Sequence, residues 1–104
     1  MKKITHKQEM ARVEKFFKGC IALQQTKGKD YTTDGDAFKD LYDEADAMGI
    51  TPEKVLWISL NKHAKAVRNF CKNGQTESEP IEARLKDLAN YISILAVLIE
   101  TKHR

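Results

Sequence analysis

The chain has 104 residues and a mass of 11.9 kDa, which predicts a single domain over residues 1–104. A hydrophobic fraction of 41% with only five Gly and two Pro excludes collagen-like and disordered proteins. The longest uncharged segment, 88–99, is shorter than the roughly 20 residues of a membrane-spanning helix, and no apolar segment follows the basic start. We therefore expect a cytoplasmic protein without a membrane partner.

Charge is distributed along the chain in blocks. Residues 1–29 carry a net charge of +6, residues 30–53 carry −7, residues 54–76 carry +5 and residues 77–104 carry −1, within a formal total of +3. Such blocks are typical of complementary faces within a bundle or between subunits. A nucleic-acid-binding surface more often keeps its basic stripe apart from an acidic neighbour, so the pattern argues against a nucleic-acid partner.

The first of four predicted helices is expected over residues 6–25. A capping box formed by Thr5 and Gln8 marks its start, and Gly28 marks its end and the beginning of a polar loop over 28–35. Its inner face is predicted from side chains three and four residues apart: Met10, Val13, Phe16, Phe17, Cys20, Ile21, Leu23 and Gln24.

The second helix is expected over 36–48 and the third over 52–71. Gly49 closes the second helix, and a capping Thr51 followed by proline opens the third. The residues 55–58 are all apolar, so the third helix is predicted to be the central and most buried element. Cys20 and Cys71 are predicted to be reduced and buried, since neither has a second ligand nearby in sequence.

The third helix is expected to end at Gly74, and the fourth to run from about Ser78 to Thr101. One apolar stripe of the fourth helix consists of Ile81, Leu85, Leu88, Ile92, Leu95 and Ile99, and much of its remaining surface is apolar too. In a chain of this length, such a helix indicates a homodimer interface more than a monomer core. The predicted fold class is therefore all-α, a dimeric four-helix bundle-like domain.

An acidic segment covers the second helix. Asp40, Asp43 and Glu44 share a helix face, which is how helical bundles hold divalent metals. That face lies opposite the apolar positions of the helix, so a solvent-exposed acidic surface is the simpler interpretation. Together with Asp36, these residues are candidates for binding a partner.

Polar side chains also interrupt the third and fourth helices. Asp87 shares a helix face with Arg84 and Tyr91, and a half-buried carboxylate needs a nearby cation. One interpretation is an ion pair that fixes the register of the two helices. The other is a phosphate- or substrate-binding pocket, with these candidate residues: Lys62, His63, Arg68, Arg84, Asp87 and Asn90.

Several short segments from Lys29 onward are similar to a known group of proteins. They are Lys29-Asp30-Tyr31, Asp36-Ala37-Phe38, Gly49-Ile50-Thr51-Pro52-Glu53, Leu60-Asn61-Lys62-His63, Ser78-Glu79-Pro80-Ile81 and the segment from Arg84 to Tyr91. Over about residues 22–100 the chain resembles small phage and prophage proteins, some described as nucleotide-modification-associated domains. These are distantly similar to the all-α nucleoside triphosphate pyrophosphohydrolases of the MazG and dimeric dUTPase kind.

The resemblance implies a dimeric all-α fold that binds a nucleotide near the third and fourth helices, with Mg²⁺ held by carboxylates. The pyrophosphohydrolase pattern has Glu-Glu-x-x-Glu on one helix and Glu-x-x-Asp on the next. Here residues 54–72 contain no acid, Asp87 stands at the aspartate position and Arg84 stands in place of the glutamate. Asp87 is therefore the one candidate Mg²⁺ ligand, and Lys62, Arg68 and Arg84 could hold phosphate directly.

Three functions are compatible with these observations. The first is a phage-type MazG-like protein that binds or weakly hydrolyses a nucleotide at a degenerate metal site. The second is a non-enzymatic phage protein that binds and inhibits a host enzyme or defence complex, since complementary charge favours fast and selective association. The third is a structural dimer subunit of a larger assembly.

Overall fold

The computed structural model describes residues 3–31, 35–75 and 79–102, and for residues 27–31 it describes the backbone. It contains four helices: α1 (His6–Tyr31), α2 (Lys39–Met48), α3 (Pro52–Asn73) and α4 (Ile81–Thr101). No β-strand is found within the described ranges. The prediction of an all-α helical bundle is therefore confirmed.

Two predicted helix starts have the expected caps. At the start of α1, the backbone N–H of Thr5 donates to Gln8 Oε1 over 2.9 Å, and the N–H of Gln8 donates to Thr5 Oγ1 over 3.1 Å. At the start of α3, Thr51 Oγ1 accepts from the N–H of Lys54 over 3.3 Å, with proline at the first helical position. These bonds satisfy backbone donors that lack a partner within the helix.

Glycines end α2 and α3 as predicted. Gly49 has φ 68° and Gly74 has φ 78°, which is the left-handed region where a Cβ is unfavourable. The N–H of Gly49 donates to Asp46 O over 3.2 Å, and the N–H of Gly74 donates to Phe70 O over 2.7 Å. Both glycines therefore close the last turn of their helix.

Three predicted boundaries differ from the structure. α1 continues through Gly28 to Tyr31, because one glycine inside a helix costs only about 1 kcal/mol relative to alanine. α2 begins at Lys39 rather than Asp36, since Asp36 Oδ1 accepts the N–H of Phe38 over 2.9 Å and holds a turn ahead of the helix. α4 begins at Ile81, and the predicted start at Ser78 lies outside the described residues.

α4 is the central helix. It packs against α1 on one side and against α3 on another, and α2 packs on α3. α3 and α4 are antiparallel, since Lys102 at the end of α4 pairs with Glu53 at the start of α3 over 2.7 Å. The prediction that α3 is the most buried helix is wrong, because Trp57 and Ile58 are exposed on the side that neither α2 nor α4 covers.

α1 and α4 run in the same direction. Gly19 faces Lys86, and further along both helices Gln24 Nε2 donates to Asn90 Oδ1 over 2.9 Å and to Ser93 Oγ over 2.8 Å. Residues 6–15 of α1 are exposed and extend beyond these contacts. The chain consequently measures 49 Å in its longest dimension against 29 and 25 Å in the others.

Few apolar side chains in the described ranges are fully covered: Cys20, Ala45, Leu56 and Leu98. The predicted inner face of α1 is only partly confirmed, because some of its members are exposed: Met10, Val13, Phe17 and Ile21. Cys20 is buried as predicted, but Cys71 is exposed, so that part of the cysteine prediction is wrong. The covered side of α1 contains Cys20 and the half-buried Phe16 and Leu23, where α4 lies.

Candidate functional site

Three of the predicted site residues meet between α3 and α4. His63 projects from α3, and its Nδ1 lies 3.4 Å from Arg84 Nη1 and 3.9 Å from Asp87 Oδ2, both on α4. Arg84 and Asp87 are three residues apart and therefore project from the same face of the helix. The antiparallel packing of α3 and α4 thus brings a cation, a carboxylate and an imidazole together.

Arg84 is largely enclosed. Its side chain is 14% exposed, and its Nε lies 3.5 Å from Oε2 of Glu79, whose side chain is 48% exposed. Glu79 comes just before Pro80 at the start of α4, so its carboxylate covers the guanidinium from the solvent side. The sequence prediction did not include Glu79, because a contact between a helix and the segment before it leaves no periodic signal.

The surroundings of His63 favour its neutral form. Burial lowers the pKa of His63, the Arg84 and Lys62 charges lower it further, and Asp87 opposes them. A guanidinium can only donate, so Nδ1 of His63 accepts from Arg84 and the proton of the neutral ring lies on Nε2. The Tyr91 ring stacks on the imidazole with centroids 5.4 Å apart and an angle of 20°, which fixes the plane of the ring.

The structure does not bring the remaining predicted pocket residues into the contact between His63, Arg84 and Asp87. Lys62 and Arg68 are exposed on α3. Asn90 is buried, but it faces α1, where its Oδ1 accepts from Gln24. Its role there is to join α1 to α4, so the structure does not bring it together with His63 and Arg84.

The acidic residues of the second helix and its preceding turn are all exposed: Asp36, Asp40, Asp43 and Glu44. Asp43 pairs with Lys39 one turn earlier over 2.7 Å, and this contact raises the pKa of Lys39. Asp36 accepts from the backbone, as described above. This arrangement is that of a solvated acidic surface.

The donor set around Asp87 does not fit a Mg²⁺ site. Mg²⁺ prefers several oxygen ligands in octahedral geometry, whereas Asp87 is accompanied by an arginine and a neutral histidine. Within residues 3–31, 35–75 and 79–102, no group of three or more His, Cys, Asp or Glu side chains could hold a metal ion. We therefore derive no chemical step through Mg²⁺.

Comparison with known proteins gives no match: no sequence family, no curated protein and no solved structure is significantly similar to this chain. None of the four helices, over the part of the chain that the structure describes, combines the length and the apolar composition that a membrane crossing requires.

Proposed function

We propose that this protein binds the phosphate groups of a nucleotide at the contact between α3 and α4, with Arg84 as the main ligand. The observation that carries the proposal is the enclosed Arg84 guanidinium, which lies between His63 and the exposed carboxylate of Glu79. The Arg84–Glu79 distance of 3.5 Å exceeds the roughly 2.7–2.9 Å of a tight charge-assisted hydrogen bond. In this proposal a phosphate group competes with Glu79 for the guanidinium of Arg84.

Two neighbouring side chains support phosphate binding here. Lys62 is exposed, and its charge reaches the site, since it contributes to the lowered pKa of His63. His63 can donate from Nε2, because its Nδ1 already accepts from Arg84. The site thus offers an anionic ligand two charged donors, Arg84 and Lys62, and a neutral donor, His63.

The proposal assigns binding rather than hydrolysis to this site. Hydrolysis of a triphosphate with Mg²⁺ needs several carboxylates to position the metal, and Asp87 stands beside an arginine instead. The proposal also includes the homodimeric state and the cytoplasmic location that the sequence predicts. The resemblance to MazG-like proteins in the sequence also supports nucleotide binding, and membership of that group stays a prediction.

A direct test is to measure binding of deoxynucleoside and ribonucleoside triphosphates and of inorganic triphosphate, with and without Mg²⁺, by calorimetry and thermal shift. We expect Arg84→Gln to weaken binding about tenfold or more, because a hydrogen bond to a charged group contributes roughly 1.5–3 kcal/mol. Arg68→Gln is the matched control, since Arg68 is an exposed arginine on α3, and it should bind as the wild type does.

Glu79→Gln provides the opposite change. It removes the competing charge from the solvent side of Arg84, so we expect tighter triphosphate binding rather than weaker binding. A gain of affinity is not a result that partial unfolding can produce. Absence of binding by any triphosphate, or equal losses in Arg84→Gln and Arg68→Gln, would contradict the proposal.

A second candidate is the host-protein inhibitor, favoured by one observation: the acidic residues Asp36, Asp40, Asp43 and Glu44 are all exposed around α2. Substituting Lys for Asp40, Asp43 and Glu44 should then slow association with a basic partner and abolish stable binding. The same variant should bind triphosphate as the wild type does. Measuring partner binding and triphosphate binding on this one variant therefore distinguishes the two candidate functions.

A further inference from the structure

The apolar stripe of α4 has the spacing of a coiled-coil seam. Its members are four and three residues apart in strict alternation, which places them at the a and d positions of three successive heptads. Leu85, Ile92 and Ile99 occupy the a positions. The d positions hold Ile81, Leu88 and Leu95. Two of the three a positions are β-branched and two of the three d positions are leucine, and β-branched residues at a with leucine at d favour pairing of two helices.

The a positions of this seam point away from the other helices. Leu85, Ile92 and Ile99 have exposed fractions of 37%, 52% and 48%. α1 covers α4 near Asn90 and Ser93, and α3 covers it near Asp87 and Tyr91. The third side of α4 is therefore apolar and has no neighbour among the described residues of the chain.

α1 continues this apolar surface. Its exposed residues Met10, Val13, Phe17 and Ile21 also recur at three- and four-residue spacing. Because α1 and α4 run in the same direction, both stripes can be placed on one helical projection with about 100° per residue. Both fall on the side of the helix pair turned away from α3. We call this surface, made of the two stripes, the α1–α4 face.

The accessible area of the whole chain is large enough for a second copy to cover this face. The chain exposes 8355 Å², whereas a compact monomer of its mass exposes about 5,900 Å². The excess of about 2,400 Å² compares with the roughly 1,000–2,500 Å² that each partner buries in an obligate homodimer. It is larger than the roughly 800 Å² of a standard transient contact.

The geometry points to the α1–α4 face as the homodimer interface, with the α4 seam packing against the same seam of a second copy. This inference rests on the homodimeric state included in the proposed function, and it is independent of nucleotide binding. The second copy would also support residues 6–15 of α1, which extend past α4. A short helix without tertiary contacts is only marginally stable in water.

Light scattering after size exclusion tests the inference on the full chain. The wild type should have a mass near twice 11.9 kDa. Ile92→Glu should be monomeric, because it places a charge in the seam of both copies. Ile58→Glu is the matched control: Ile58 is 54% exposed, close to Ile92, but it lies on α3 away from the α1–α4 face, and this variant should stay dimeric.

A milder pair of variants covers the case in which Ile92→Glu fails to fold. Ile92→Ala keeps helix propensity, and we expect it to raise the dimer dissociation constant about tenfold or more with unchanged circular dichroism. Ile58→Ala should leave that constant unchanged. A monomeric wild type, or equal effects at positions 58 and 92, would overturn the inference, and triphosphate binding by the monomer would leave the nucleotide proposal standing.

Discussion

His63 shows how a single side chain connects local environment with pH dependence. Burial lowers its pKa below the ordinary 6.5, so the unfolded chain binds a proton more readily than the folded protein does. The favourable contribution of the neutral ring is therefore complete above pH 6.5 and is lost as the pH falls from 6.5 towards the lowered folded pKa. The neutral form is also the one that can accept from Arg84.

We predict that His63→Asn removes part of the acid sensitivity of the protein, because asparagine keeps an acceptor near Nδ1 but does not titrate. Denaturant unfolding between pH 7.5 and 5.5 should show a steeper loss of stability for the wild type, by at most about 1.4 kcal/mol per pH unit. The control variant is His6→Asn, at an exposed histidine on the first turn of α1, and it should not reproduce the effect of His63→Asn. Parallel profiles for the wild type and His63→Asn would contradict the assignment.

Leu98 is the second informative residue, since none of its surface is exposed. Leu98→Ala should lower the free energy of unfolding by about 2–5 kcal/mol, because the removed side chain leaves a cavity in the core. Val97→Ala, at an exposed neighbouring position, should cost much less in the same urea titration. Similar losses in both variants would mean that residue 98 is not in a packed core.

At the scale of the elements, capping chemistry determines where helices begin. Thr51 supplies the hydroxyl that accepts from Lys54, and Pro52 follows it. We predict that Thr51→Ala lowers the free energy of unfolding by about 0.5–2 kcal/mol, as measured by urea denaturation. Thr26→Ala is the control, because Thr26 bonds within its own helix to Ala22 and alanine has the higher helix propensity. A loss in Thr26→Ala as large as in Thr51→Ala would refute the capping argument.

The relation between α1 and α4 also belongs to this scale. Gln24 and the buried Asn90 join the two helices through a side-chain hydrogen bond. A buried amide is costly without a partner, so this pair fixes one register of α1 on α4. The same register makes the two exposed stripes adjacent.

At the scale of the whole molecule, the chain is more extended than a compact domain of the same length. Its radius of gyration is 16.1 Å, against about 13 Å for a compact domain of some 100 residues. If a second copy covers the α1–α4 face, folding and association are coupled. The melting temperature should then rise with protein concentration, because mass action stabilises the associated state.

Calorimetric scans over a hundredfold range of protein concentration test this prediction. Ile92→Glu should melt at a lower temperature, with no dependence on concentration, whereas Ile58→Glu should keep the dependence of the wild type. A wild-type melting temperature that is constant over that range would mean that folding does not depend on self-association.

The sequence alone determined the local structure. Thr5 with Gln8, Thr51 with proline, and the glycines at 49 and 74 act through backbone atoms a few residues away, so their effects can be predicted from spacing. The helical class follows from periodicity for the same reason. It was also predictable that Asp87 would lie beside a polar group of the neighbouring helix, because a carboxylate amid apolar positions needs compensation, and the structure places His63 there.

Only the tertiary structure decided which faces meet. Periodicity indicates that a helix has an apolar face but not what covers it, so the stripe of α4 and much of the predicted inner face of α1 remain exposed. Periodicity also could not show that Asn90 and His63 have different neighbours. Asn90 on α4 contacts Gln24 of α1, whereas His63 on α3 contacts Arg84 of α4. Contacts between residues distant in sequence depend on the packing of whole helices, and no short segment of this chain encodes that packing by itself.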